Sequence, residues 1–137
     1  MHLTALPHDG VLTRLGRSTI HGVGVFAISA ISQGTQLFAH DNAEICWIDA
    51  SAVDGAGLDP SRRALYRDFA IRRDGLLGCP QSFDLLTPGW YVNQPREGDA
   101  PNMRATEDFR LIAARGINAD EELTISYAAF NRGPTWA

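Results

Sequence analysis

The chain has 137 residues, of which 45% are hydrophobic and 20% charged. That balance suits one globular domain and excludes two ordinary ones. No uninterrupted apolar run is long enough to cross a bilayer, and sixteen acidic residues against twelve basic ones give a formal net charge of −4, which disfavours direct nucleic-acid binding.

All twelve basic residues are arginines, because the sequence contains no lysine. An acidic surface suits a basic partner or is simply well solvated. The opening MHLTALPHDG has neither the basic nor the apolar stretch of a secretory leader, and the two cysteines, Cys46 and Cys79, form no metal-ligand pattern. A cytoplasmic location is expected.

From Val11 to Phe38 short apolar runs (VLTRL, GVGVFAI, GTQLFAH) alternate with glycine or serine and predict strands, with the clearest turn at Ile31-Ser32-Gln33-Gly34. Between Asp49 and Arg73 the period changes. Asp59 as N-cap and Pro60 at the first helical position predict a helix on which Leu65 and Phe69 share a face. Arg62, Arg63, Arg67, Arg72 and Arg73 concentrate there, as a partner surface or a solvated face. From Leu76 strands return as LLGC, WYVN after the turn at Pro88-Gly89, FRLIAAR and ELTISY, with the loop QPREGDAPN between WYVN and FRLIAAR. The expected class is mainly β (α+β) with a small helical insert.

Three stretches stand out. His21 to Ala27, HGVGVFA, sets Gly22 and Gly24 among aliphatics, which marks either a bulge or a backbone that a ligand approaches closely. The third glycine and following helix of a dinucleotide site are missing. Asn93, at the end of WYVN, is either a turn residue or an amide able to donate and accept toward a ligand. Tyr127 closes the alternating run EELTISY, a place for a core, interface or site tyrosine.

In this order and spacing, the stretches resemble the SET-domain protein methyltransferases over roughly residues 11 to 130. Ser18 to Ala27, followed by Ile31-Ser32-Gln33-Gly34, is similar to the family's S-x-I-H-G-x-G-V-F-A and I-x-x-G. Val92-Asn93 with Pro101-Asn102 resembles its N-H-S-x-x-P-N, and Glu121 to Tyr127 resembles its E-E-L-T-I-x-Y. The resemblance implies a single SET domain (β-clip) of short twisted sheets across 1–137: an N-terminal part at about 11–40, a helical insert at about 41–80, a C-terminal part at about 81–127 and a tail at 128–137. It further implies a C-terminal pseudoknot, a segment passing beneath a loop.

The resemblance also implies S-adenosyl-L-methionine as cofactor, in a cleft on one face, and a target lysine entering from the opposite face through a narrow channel. The implied activity is protein-lysine N-methyltransferase. His21, Gly22, Val23, Gly24, Tyr91, Asn93, Gln94, Tyr127 and Trp136 would then bind the cofactor, while Phe83, Tyr91, Tyr127 and Phe130 would line the channel, with Tyr127 catalytic. The partner would be a lysine-containing protein or peptide of basic character, with no membrane involved. The alternative is a SET-like binding module with weak or no catalysis.

Gln94 and Pro95 stand where the family has histidine and serine, and Asp120 where it has glycine. The loop to Pro101-Asn102 is also about three residues longer than the family's. No cysteine follows Tyr127, so no zinc site is expected. The channel wall would then fall to Phe130 and Trp136, folded back after a turn at Gly133-Pro134, or to a second protomer of a homodimer. Without lysine, such an enzyme cannot methylate its own lysine side chains.

Overall fold

The computed structural model describes residues 1–41, 44–133 and 136. Strands β1 (Thr13–Arg17) and β2 (Val23–Ala27) form an antiparallel hairpin, Thr13 facing Ala27 and Arg17 facing Val23. Its turn is closed by Ser18, whose N–H donates to the Gly22 carbonyl at 2.8 Å and whose hydroxyl accepts from the N–H groups of Ile20 and His21 at 2.9 and 3.1 Å. Gly22 has φ +47, in the left-handed region that glycine enters most easily.

The helical insert is more than helical. It holds its own sheet, in which β4 (Cys46–Asp49) and β5 (Ile71–Arg73) both pair antiparallel with a central β6 (Leu76–Cys79). Helices α1 (Ala50–Asp54) and α2 (Pro60–Phe69) lie between β4 and β5 in sequence. As expected, Asp59 caps α2 by accepting the Arg62 N–H at 2.9 Å, with Pro60 at the first turn. Val53, Leu77 and Cys79 form the buried centre of this unit.

A third sheet places β8 (Leu111–Ala113) between β3 (Gln36–Leu37) and β7 (Met103–Ala105), all antiparallel. The main core gathers Val25, Ala27, Ile31, Leu37, Val92, Met103, Ala113, Ile117, Leu123 and Ile125 from the hairpin, this sheet and the C-terminal segment.

Two expected strands are absent as regular ladders. Trp90 and Tyr91 lie in a 3-10 turn, Pro88–Tyr91, because Pro88 fixes a turn conformation and lacks a ladder donor. Asn93 therefore follows a turn, and meets Thr124 in a single parallel bridge. ELTISY is extended but held by single bridges, and is gripped on both sides. On one side Leu123 N–H donates to the Val25 carbonyl at 2.7 Å and Ala27 N–H to Glu121 at 3.0 Å; on the other, Ile125 N–H donates to Asn93 and Met103 N–H to Thr124, both at 3.0 Å.

Asn102 fastens that segment with both ends of its amide. The side chain is only 2% exposed; its Oδ1 accepts the Thr124 N–H at 2.8 Å, and its Nδ2 donates to the Glu122 carbonyl at 2.8 Å and Glu121 Oε2 at 3.3 Å. An aspartate there would turn an acceptor toward two acceptors. Asn102→Asp is expected to lose about 1–3 kcal/mol or more of stability, read as a lower urea midpoint at an unchanged denaturant slope.

The Arg115 guanidinium beside Glu121, together with the Asn118 N–H and the Asn102 amide, holds the Glu121 carboxyl down at about 2. A carboxylate depressed on folding stabilises fully above its ordinary value of 4.5 and loses that contribution as pH falls toward 2. Glu121→Gln should therefore be less stable than wild type at neutral pH. Thermal melts across pH should show the gap closing between 4.5 and 2, the interval bounded by the ordinary and folded values.

Candidate functional site

Glu122 is where the three sequence stretches meet. Its carboxylate accepts the Ser18 hydroxyl at 2.8 and 2.9 Å on its two oxygens and the Asn93 Nδ2 at 3.0 Å. The same Nδ2 lies 2.9 Å from the His21 carbonyl and 3.3 Å from that of Val23. Asn93, 6% exposed, thus spends its donor on shaping the 21–23 loop. The two glycines also have reasons inside the fold: Gly22 takes up the left-handed turn, and a Cβ on Gly24 would stand 2.5 Å from Glu122 Oε2. With Gly22 the space where a Cβ would stand is open to 4 Å.

Around this knot lies a cleft of about 580 Å³, within the size range of small-molecule sites. His21, Gly22, Val23, Tyr91, Asn93, Gln94 and Tyr127 line it, joined by Ile20, Pro95, Trp90, Val92 and the end of α2 at Arg67, Asp68 and Phe69. The contribution of α2 was missed by sequence reasoning. Its signal was the face shared by Leu65 and Phe69: the Phe69 ring meets Tyr91 edge-on at 5.6 Å, so the insert walls the cleft. Ser18 and Glu122 stood inside quoted motifs, yet only the fold reveals their bond.

A second cleft, about 710 Å³, opens beside the first. Phe38, Trp47, Phe109 and Phe130 supply its aromatic lining, and Asp41, Glu44, Asp68 and Asp108 its acidic groups, with Arg67, Arg72 and Arg110 among them. Phe38 and Phe109 hold φ of 57° and 63°, a left-handed geometry that costs a bulky residue about 1–3 kcal/mol and is concentrated at functional sites. Trp90, Val92, Tyr127, Arg67 and Asp68 border both clefts, so Tyr127 stands in the wall between them.

Tyr127 is gripped at two points by residues 92–94. Its hydroxyl donates to the Val92 carbonyl at 3.0 Å and its backbone N–H to Gln94 Oε1 at 3.0 Å. Burial, reinforced by the Glu122 charge, pushes the phenol above its ordinary value, while the Gln94 backbone opposes the shift. The hydroxyl consequently remains neutral throughout the physiological range.

Three expected site residues, Gly24, Phe83 and Trp136, line neither cleft. Gly24 is buried in β2. Phe83, which the resemblance made a candidate for the channel wall, packs on the insert core with its ring edge-on to Tyr66 at 5.0 Å. Trp136, expected over the cofactor, sits against the insert: its Nε1 donates to Asp54 Oδ1 at 3.1 Å, and the Arg63 guanidinium covers its ring at 4.4 Å. A hydrogen bond and a stacked cation hold the indole there. Phe130 lines the larger cleft and stacks on Phe109 at 6.2 Å.

The tail up to Gly133 is docked on β5, with Arg132 N–H donating to Arg72 and Asp74 N–H to Arg132. Gly133 has φ +84, and Pro134, the other half of the expected turn, lies outside the described residues. Among the described residues no group of three or more His, Cys, Asp or Glu side chains could hold a metal ion, and no helix is long and apolar enough to cross a membrane.

No family model and no curated protein matches the sequence. Solved structures do match. A candidate histone methyltransferase from Plasmodium falciparum aligns with a TM-score of 0.52 at 20% identity, over 92% of this chain and 96% of that one. A humanised mutant of the Chaetomium thermophilum Polycomb Repressive Complex 2, bound to the inhibitor GSK126, aligns with a TM-score of 0.56 at 19% identity, over 90% of this chain but only 16% of that one. At such identity the likeness is one of fold: small antiparallel sheets with few helices, in a SET-like arrangement.

Proposed function

We propose that the protein is an S-adenosylmethionine-dependent protein-lysine N-methyltransferase, with the cofactor in the smaller cleft, the lysine in the larger one, and Tyr127 where they meet. The observation that carries this reading is the pair of clefts sharing a wall at Tyr127. The SET-like fold supports methyl transfer as the chemistry, and the pseudoknot expected of the C-terminal segment belongs to the same reading.

The smaller cleft suits a nucleoside with a charged amino-acid tail. Phe69, Trp90 and Tyr91 offer apolar faces to a base, Asp68 and the amide groups of Asn93 and Gln94 offer polar ones, and Gly22 leaves its side of the loop unfilled. S-adenosylmethionine, when bound, supplies an electrophilic sulfonium methyl.

The chain's own work is to prepare and aim the amine. A lysine ammonium entering between Trp90, Val92 and Tyr127 leaves water, and desolvation favours its neutral, nucleophilic form. The Tyr127 hydroxyl already donates to the Val92 carbonyl, so its lone pairs face an amine N–H as acceptors. Gln94, by holding the Tyr127 N–H, fixes the ring at the wall. Holding the nitrogen in line for displacement contributes on the order of 7–11 kcal/mol to such a transfer. With the cofactor bound, the carbon–nitrogen bond would form as the sulfonium's sulfur–methyl bond breaks, the demethylated thioether would be the leaving group, and the amine's proton would pass to solvent.

Calorimetric titration should show S-adenosylmethionine binding, and Asn93→Ala should weaken it by roughly 1–3 kcal/mol, since the 21–23 loop loses its clamp. No binding by the wild type would overturn the reading.

Tyr127→Phe should keep the fold, by circular dichroism, and bind the cofactor with little change. Radiolabel transfer to lysine-rich peptides should fall about a hundredfold. Undiminished transfer would make the hydroxyl structural, and binding without any transfer in the wild type would indicate a binding module.

A further inference from the structure

The insert sheet places the chain's two cysteines directly opposite each other: Cys46 on β4 faces Cys79 on β6, at the end of the ladder that runs through Trp47–Gly78 and Ile48–Leu77 to Asp49–Leu76. Opposed residues of an antiparallel pair put their side chains on the same face, with Cβ atoms about 4.5–5.5 Å apart. Both sulfurs are free thiols, Cys46 half-buried and Cys79 4% exposed on the insert core. A disulfide has Cβ atoms about 3.5–4.5 Å apart, so the sheet need only close slightly to accommodate one.

We propose that Cys46 and Cys79 are a reversible thiol–disulfide modification site, oxidised by low-molecular-weight disulfides of the glutathione class. Cys46, the less buried of the two, is the sulfur such a molecule can reach. Its thiolate attacks one sulfur of the small disulfide, forming a mixed disulfide and releasing one small thiolate. Cys79 then gives up its proton and its sulfur attacks Sγ of Cys46, releasing the second thiol; two electrons have passed from the cysteines to the small disulfide. Burial holds the Cys79 thiol up at about 11, aided by Cys46, so Cys79 suits the resolving role better than the attacking one.

The slight closure brings the bridge within ordinary disulfide geometry, and attack by a small thiolate reverses it. It also acts on the larger cleft. Trp47, adjacent to Cys46 and on the opposite face of β4, lines that cleft, and its ring lies so close over Gly78 that a Cβ there would stand 2.8 Å away. Closing the bridge draws β4 and β6 together beside the pair that seats this indole.

The test is titration of the purified full chain with glutathione and its disulfide, quenched by acid and digested with trypsin without reduction. Arg62, Arg63, Arg67, Arg72 and Arg73 lie between the cysteines, so trypsin separates them and an internal bridge appears as a linked pair of peptides. The expected result is a linked pair in monomeric chain, a melting temperature raised by several degrees, and full return on adding dithiothreitol. Cys46→Ser and Cys79→Ser, either of which serves if the other fails to fold, should each abolish the link. Glutathione adducts alone, or cysteines joined only between chains, would overturn the proposal.

Discussion

The fold turns on one carboxylate. Glu122 takes hydroxyl and amide donors from Ser18 and Asn93, residues that lie 104 and 29 positions away in the chain. Both donors are neutral, and hydrogen bonds to a carboxylate are worth more than those between neutral groups. Gly24 is the steric condition for that arrangement, because any side chain there would occupy the place of the carboxylate. Through Asn93 the same knot reaches the carbonyls of His21 and Val23 and so sets the floor of the smaller cleft.

Asn102 and Glu121 perform a parallel service one strand position away. Asn102 satisfies Thr124 and Glu122 with its amide while Arg115 and the Asn118 N–H hold Glu121. The C-terminal segment therefore needs no long ladder. Its apolar residues, Leu123 and Ile125, are fully buried and alternate with Glu122 and Thr124, where the side chains of Ser18, Asn93 and Asn102 meet the Glu122 carboxylate and carbonyl and the Thr124 N–H, and the Met103 N–H meets the Thr124 carbonyl. That division explains why an alternating pattern legible as a strand yields single bridges: the segment is wedged between β2 and the 93 and 102–103 backbone, not laid along either.

What the sequence disclosed and what it concealed follow the same line. Local devices were plain: the Asp59-Pro60 helix start, the short strands at VLTRL and GVGVFAI, and an irregularity at Gly22, read as a bulge or a place of close approach and found as the left-handed turn between β1 and β2. Asp120, which stands where the resembled motif has glycine, sits at φ +66, a conformation that asparagine and aspartate tolerate better than most residues. Seven of the expected cofactor residues share one cleft. Concealed were the features that depend on distant partners. The strands β4, β5 and β7 are only 3 or 4 residues long, too short for periodicity to register. Trp136 was assigned by analogy to the cofactor, but the nearby Asp54 and Arg63 compete for an indole with one donor and a π face, and they hold it.

The insert, expected only as a small helical unit, lines both clefts. The end of α2 delivers Arg67 and Asp68 to both clefts and Phe69 to the smaller one, while β4 delivers Trp47 to the larger. The tail binds the insert from the other side, through Arg72, Asp74 and the Arg73 guanidinium, whose Nε donates to the Phe130 carbonyl at 2.7 Å while its plane lies over Phe109. Phe109 in turn stacks on Phe130 beside Tyr127. The insert therefore supplies part of the aromatic wall of the larger cleft and the α2 wall of the smaller one, whose floor is anchored to the main core by Glu122 and Asn93. The two clefts meet at Tyr127 and share the end of α2, but the floor of the smaller is fixed by a buried polar knot while Trp47 ties the larger to the small sheet of the insert.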